Sequence, residues 1–261
     1  MRRRRLLALA AVVGMLALSG CLGLFGDDSI PAERLDEEPA GEGYAWNESA
    51  DVHLTVRADS TFQGVYSVNG TELTLYRNDG LGGQNPLDVR AVRYRYPNGT
   101  VINGSTLAER GNVEETRDEV VITTPEEGGE LAFTAGSTPK RFSLPTYVDG
   151  SYEVVLPPDR RASAPVFGRI RPGGSETAVD DRNRVHITWE DVTADRVLVQ
   201  FYLQRDLTLF GGLVAVFSVV ALVGLAYFRR KLRELREQRE ELGLDVDVED
   251  DSGRDPPPGM G

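Results

Sequence analysis

Cys21 is the only cysteine in the chain, and it ends the run Leu18-Ser19-Gly20-Cys21. Small residues ahead of a cysteine let a peptidase reach the backbone, and the thiol is the atom that accepts a lipid. The run resembles a lipobox, so Cys21 is the expected lipidation site. One cysteine excludes a disulfide framework and a multi-cysteine zinc centre. Histidine is also scarce. His53 lies between Val52 and Leu54, and His186 between Val185 and Ile187. Both occupy alternate positions of strand-like runs, so each is expected to face solvent rather than act as a general base. The chain has no G-x-S-x-G elbow. Pro172-Gly173-Gly174-Ser175 lacks the lysine and following helix of a phosphate-binding loop.

Carboxylates offer a second kind of chemistry. Glu114-Glu115, Glu126-Glu127, Asp180-Asp181 and Glu190-Asp191 are adjacent pairs, but a chain with 41 acidic residues produces such pairs by chance. Exposed clusters of this kind can attract calcium. The best-spaced run, Asp245 to Asp250, has no glycine at its sixth position and has Pro256 at its twelfth, so it is not an EF-hand loop. No metal, cofactor or catalytic residue is expected. Four of the eight asparagines, Asn47, Asn69, Asn98 and Asn103, begin N-x-[ST] sequons and are candidate glycan acceptors. At three of them Asn-Gly is also ordinary turn chemistry.

The elements that must position these residues fall between two apolar segments. Arg2 to Arg5 followed by Leu6 to Leu18 reads as an export signal, too short to span a bilayer comfortably. The arginines also fit a twin-arginine pattern. Leu207 to Phe228 is an uncharged run of 22 residues. At about 1.5 Å per residue it is long enough to cross a hydrocarbon core. Arg229-Arg230-Lys231 follows it and belongs in the cytoplasm by the positive-inside rule. Gly211 and Ala215 form a small-xxx-small pair that could pack against a second helix. Arg-Glu pairs at i,i+4 from Arg230 onward extend the helix as a stalk. The remainder is acidic and proline-rich, a composition that stays disordered.

Between the anchors the pattern has period two. Val52, Leu54 and Val56 alternate with polar neighbours, and about ten such runs follow, many separated by Gly or Pro turns. Asn69-Gly70 and Pro97-Asn98-Gly99 are the hairpin signals. An all-β antiparallel sandwich or barrel is expected, plus one C-terminal transmembrane helix. The expected organisation is a signal peptide at 1–20, a lipid anchor and flexible tether at 21–50, and a β domain at 51–205. A transmembrane helix at 206–228 and a cytoplasmic segment at 229–261 complete it.

Charge narrows the function. Arg and Lys number 29 against 41 acidic residues, a net charge of −12, and Lys140 and Lys231 are the only lysines. That argues against nucleic-acid binding. Residues 22–206 hold 18 basic and 31 acidic residues. An acidic, lysine-poor exterior suits high salt, where repulsion between carboxylates is screened. The lipobox, the stretch GSYEVVLPPDRR with the later RIRPGG, the entry FYLQRDLTLFGG and the ending ELGLDVDVEDDSGRDPPPGMG resemble an uncharacterised family of haloarchaeal membrane lipoproteins, a domain of unknown function. The resemblance implies a halophilic archaeal host and a surface location, and no site residues. The expected role is a membrane-anchored, non-catalytic surface module whose partners are membrane lipid and a membrane or cell-surface protein. The alternatives are an accessory subunit of a membrane complex and an exported hydrolase.

Overall fold

A strand with alternating apolar and polar side chains buries one face, and that pattern builds most of this molecule. The computed structural model describes residues 29–41, 43–80, 82–163 and 167–242. The strands, in chain order, begin with β1 (Val52–Val56), β2 (Thr61–Val68), β3 (Glu72–Asn78), β4 (Gln84–Pro86), β5 (Arg90–Arg95) and β6 (Val101–Asn103). Next come β7 (Asn112–Glu115), β8 (Val120–Thr123), β9 (Gly129–Gly136), β10 (Arg141–Pro145) and β11 (Gly150–Val155). The last are β12 (Arg160–Arg161), β13 (Arg169–Arg171), β14 (Glu176–Val179), β15 (Val185–Val192), β16 (Arg196–Gln200) and β17 (Tyr202–Leu203). Helices α1 (Ala32–Leu35), α2 (Gly104–Arg110) and α3 (Gln204–Glu241) are described as well.

Eight strands form the large sheet, in the order β14-β15-β11-β1-β2-β9-β5-β6. All its pairings are antiparallel except β1 with β11. A four-stranded sheet (β4-β3-β8-β7), a three-stranded sheet (β10-β16-β13) and a two-stranded ribbon (β12-β17) complete the domain. Leu54, Phe62, Tyr66, Phe133 and Ile187 of the large sheet share one core cluster with Leu75 and Ile122 of the four-stranded sheet and Phe142 and Val199 of the three-stranded one. Phe142 meets Phe62 edge-on at 5.2 Å between ring centres. The large sheet ends at β14 and β6 without closing on itself. The all-β fold is therefore an open, layered, sandwich-like assembly rather than a closed barrel.

Three local expectations change. Asn69-Gly70 does not make a hairpin: β2 already has β1 and β9 on its two edges, so β3 pairs with β4 and β8 instead. Neither residue takes the positive φ that a type I′ turn needs. The second signal does form a hairpin between β5 and β6, with Gly99 at φ +86°. Asn103-Gly104-Ser105 is a helix start rather than a simple turn, since the Asn103 side chain accepts from Thr106 N and caps α2.

The third change concerns the tether. Ile30 and Leu35 are buried in the core, and the Asp36 carboxylate accepts hydrogen bonds from Asn103 Nδ2, Ser105 N and Ser105 Oγ. Two apolar anchors and one well-bonded carboxylate dock a segment whose composition is otherwise that of a linker. Residues 1–28, with the expected signal peptide and Cys21, and 243–261, with the acidic tail, lie outside the described residues.

Helix α3 is continuous for 38 residues, about 57 Å at 1.5 Å per residue. Its apolar stretch is long and hydrophobic enough to cross a membrane. Leu209, Phe217, Val220 and Leu222 are exposed, and the helix runs on past Phe228 through the Arg-Glu pairs.

Candidate functional site

The outer face of the large sheet carries the polar residues that alternate with the core. His53 pairs with Glu153 across the parallel β1–β11 ladder, and His186 pairs with Val155 across β11–β15. These registers place His53, Glu153 and His186 on one face. His53 is 6 % exposed, and His186 is partly covered. The expectation of two solvent-facing histidines thus fails for His53. Residues 40, 41 and 43–48 cross this face and cover it. Ala40 O accepts from Gln63 Nε2 at 2.9 Å and from Arg57 at 3.0 Å. Tyr44 Oη donates to Ala91 O and lies 3.0 Å from Thr134 Oγ1.

A continuous hydrogen-bonded line runs across the site. Thr55 Oγ1 lies 3.1 Å from His53 Nε2, and His53 Nδ1 lies 3.0 Å from Glu153 Oε2. Glu153 Oε1 meets His186 Nδ1 at 2.6 Å, and His186 Nε2 meets Asp180 Oδ2 at 3.2 Å. Arg184 Nε donates to the same Asp180 oxygen at 2.7 Å. An ionised carboxylate only accepts, so Glu153 is held by two imidazoles. The His53 hydrogen bond pulls the Glu153 carboxyl down to about 2 against the opposing effect of burial, and His186 adds to the pull. Burial raises the Asp180 carboxyl, but hydrogen bonds from Arg184 and His186 outweigh it and hold that group well below the usual carboxylate range.

His53 and His186 line a cleft of about 470 Å³ that Gly41, Tyr44 and Glu48 help to wall. Arg57, Arg182 and Arg184 also reach it. Donor atoms of Glu48, His53 and Glu153 all lie within 4.8 Å of one another, so these residues could hold a metal ion. The same atoms could relay a proton, and Thr55, His53 and Glu153 stand in the hydroxyl–imidazole–carboxylate order that activates a nucleophile.

Asn47, Asn69, Asn98 and Asn103 are not among the residues that line this cleft. Asn47, Asn69 and Asn98 are exposed. Asn103 uses Nδ2, the atom a glycan would take, to hold Asp36. Gly211 and Ala215 are exposed on α3. Glu153, Glu48 and Thr55 were not legible as site residues. The one available signal was a pair of histidines on otherwise hydrophobic strands.

The class this defines is a multi-sheet β domain joined to one helix able to cross a membrane. A family model described as a family of unknown function, DUF5803, matches residues 48–247, and the chain belongs to that family. The match takes in Glu48, His53, Glu153, His186 and the whole of α3. No curated protein matches the chain.

Proposed function

We propose that the chain is a membrane-anchored, extracytoplasmic binding module rather than an enzyme, and that its cleft takes a divalent cation. The supporting observation is the donor set of Glu48, His53 and Glu153 at mutual distances within 4.8 Å. One imidazole and two carboxylates suit Zn²⁺ or Mn²⁺. Hydrogen bonds from outside the donor set orient metal ligands, and here Thr55 and His186 contact the remaining polar atoms of His53 and Glu153. The test is a melting series on the full chain in detergent, stripped with chelator and then titrated with Zn²⁺, Mn²⁺ or Ca²⁺. One ion should raise the midpoint in the wild type and fail to do so in Glu48→Gln and His53→Ala. No shift with any ion sinks the reading.

The anchoring part of the proposal places Arg229-Arg230-Lys231 inside the cell and the β domain outside. It includes an export signal at 1–20, a lipid on Cys21, and glycan acceptance at Asn47, Asn69 or Asn98. The acidic, lysine-poor composition supports a haloarchaeal host. Replacing Cys21 by Ser should abolish the lipid mass shift and leave the protein in the membrane fraction, because a membrane helix alone suffices for retention.

A second reading, an exported hydrolase, draws on the Thr55–His53–Glu153 order. A hydroxyl-directed phosphonate probe separates the two. Covalent labelling of Thr55, absent in His53→Ala, would favour the hydrolase.

A further inference from the structure

β16 precedes β17 and α3 in the chain, and its outward face gathers arginines. Residues directly opposite one another on neighbouring strands share a face. Arg141 on β10 and Arg169 on β13 both pair with Gln200, Arg171 pairs with Leu198, and Arg196 pairs with Pro145. Arg196, Leu198 and Gln200 alternate along β16, so the four arginines fall on one side. All four are exposed, and they line an open cleft of about 540 Å³ in which, among the described residues, Asp195 is the one that bears a carboxylate. Leu198 points the same way yet is only 8 % exposed, the covering expected when arginine stems lie over an apolar side chain.

Some arginines elsewhere are neutralised by carboxylates. Arg34 pairs with Asp88 and Glu115, and Arg184 pairs with Asp180. Among the described residues, Arg141, Arg169, Arg171 and Arg196 form no ion pair. In a segment with 31 acidic and 18 basic residues, four unpaired guanidinium groups on one face run against the overall charge. A planar guanidinium presents paired N–H donors that match phosphate oxygens. β16 ends at Gln200 and α3 begins at Gln204. At about 3.5 Å per residue, the chain from Gln200 to Leu207, where the uncharged run starts, reaches at most about 25 Å.

We propose that this arginine face binds phosphate-bearing lipid headgroups and so fixes the orientation of the β domain on the bilayer that α3 crosses. The proposal rests on α3 crossing a membrane and is independent of what the His53 cleft takes. An acidic bilayer repels a net-negative domain, and the four arginines provide a local attraction that a diffuse charge does not.

The experiment uses the full chain in a neutral detergent, offered equal amounts of phosphatidylglycerol and phosphatidylcholine, with native mass spectrometry to count retained lipid. The wild type should retain phosphatidylglycerol several-fold over phosphatidylcholine. R141Q/R169Q/R171Q/R196Q should lose that preference while keeping its circular dichroism. The matching fourfold Lys variant, with the charge but not the fork, should keep part of it. If the fourfold Gln variant misfolds, R141Q/R169Q and R171Q/R196Q are read separately, and each should reduce the preference. Displacement of the lipid by excess inorganic phosphate would assign the face to free phosphate and overturn the lipid reading. An undiminished preference in the folded Gln variants would assign it to Arg229-Arg230-Lys231 and do the same. No preference in the wild type overturns the proposal and leaves an acidic protein surface as the partner to test. Failure of the anchoring reading shows separately, as release of the full chain from membranes in alkaline carbonate.

Discussion

Tyr66 buries its ring against Phe133, stacked at 5.5 Å between ring centres, and its buried hydroxyl has no hydrogen-bond partner among the described residues. A buried polar atom left unbonded costs on the order of 1–3 kcal/mol. Tyr66→Phe removes the oxygen and keeps the ring, so it should stabilise the chain by about 1 kcal/mol, read as a rise of a few degrees in melting temperature. Glu153 is the opposite case. Both of its oxygens are engaged by imidazoles, so Glu153→Ala takes a partner from the buried His53 ring and from the partly covered His186 ring at once. The expected loss is about 2–4 kcal/mol, measured by denaturant titration. Glu153→Gln, which can still accept one bond and donate another, should lose less.

At the scale of elements, α1 and α2 decide whether residues 43–48 stay on the outer face of the large sheet. Leu35 anchors that segment in the core, and Gly104 at the start of α2 leaves room for it. A Cβ on Gly104 would lie 2.7 Å from Leu35 Cβ and 2.8 Å from Leu35 O. Leu35→Ala should cost about 2–5 kcal/mol by leaving a cavity, and Gly104→Ala about 1–3 kcal/mol by overfilling the same contact. Hydrogen exchange should quicken across residues 36–48 in both variants. Because Glu48 sits on this segment, cation affinity should fall with it. Unchanged exchange would mean that the segment is held elsewhere. The element boundaries show how far the sequence was legible here. Ile30 and Leu35 look incidental among acidic residues, and only the groove they fill gives them weight.

The whole molecule answers to pH and to salt. Burial pushes the Tyr44 phenol up to about 12, with Thr134 and Arg93 opposing, and desolvation also raises Tyr66, Tyr94, Tyr147 and Tyr152. In the unfolded chain these phenols lose their protons near pH 10. Above that pH the unfolded state releases protons that the native state keeps, so stability falls as pH rises through 10 and beyond. A melting series from pH 8 to 12 should therefore drop steeply in its upper half. Salt acts on the carboxylates. The Debye length is about 10 Å at 0.1 M and about 3 Å at 1 M. With 31 acidic and 18 basic residues between 22 and 206, the full chain in detergent should melt higher as KCl rises toward several molar. A flat or falling midpoint would make the acidity incidental and remove the support for a halophilic host.

The sequence by itself determined what depends on neighbours along the chain. Alternation assigned Val52, Leu54 and Val56 to a buried face, and an uncharged run of 22 residues required a long apolar helix. The Asn98-Gly99 turn closed its hairpin because β5 and β6 are adjacent and free to pair. Tertiary structure decided which strands meet. Periodicity states which way a side chain points, not which strand lies beside it, and pairing is settled by the competition among all strands to fill one core. That competition set β1 parallel to β11, brought His53 to Glu153 across a separation of 100 residues, and sent β3 to a different sheet from β2. It also turned four arginines, scattered from 141 to 196 in the sequence, toward one side of β16.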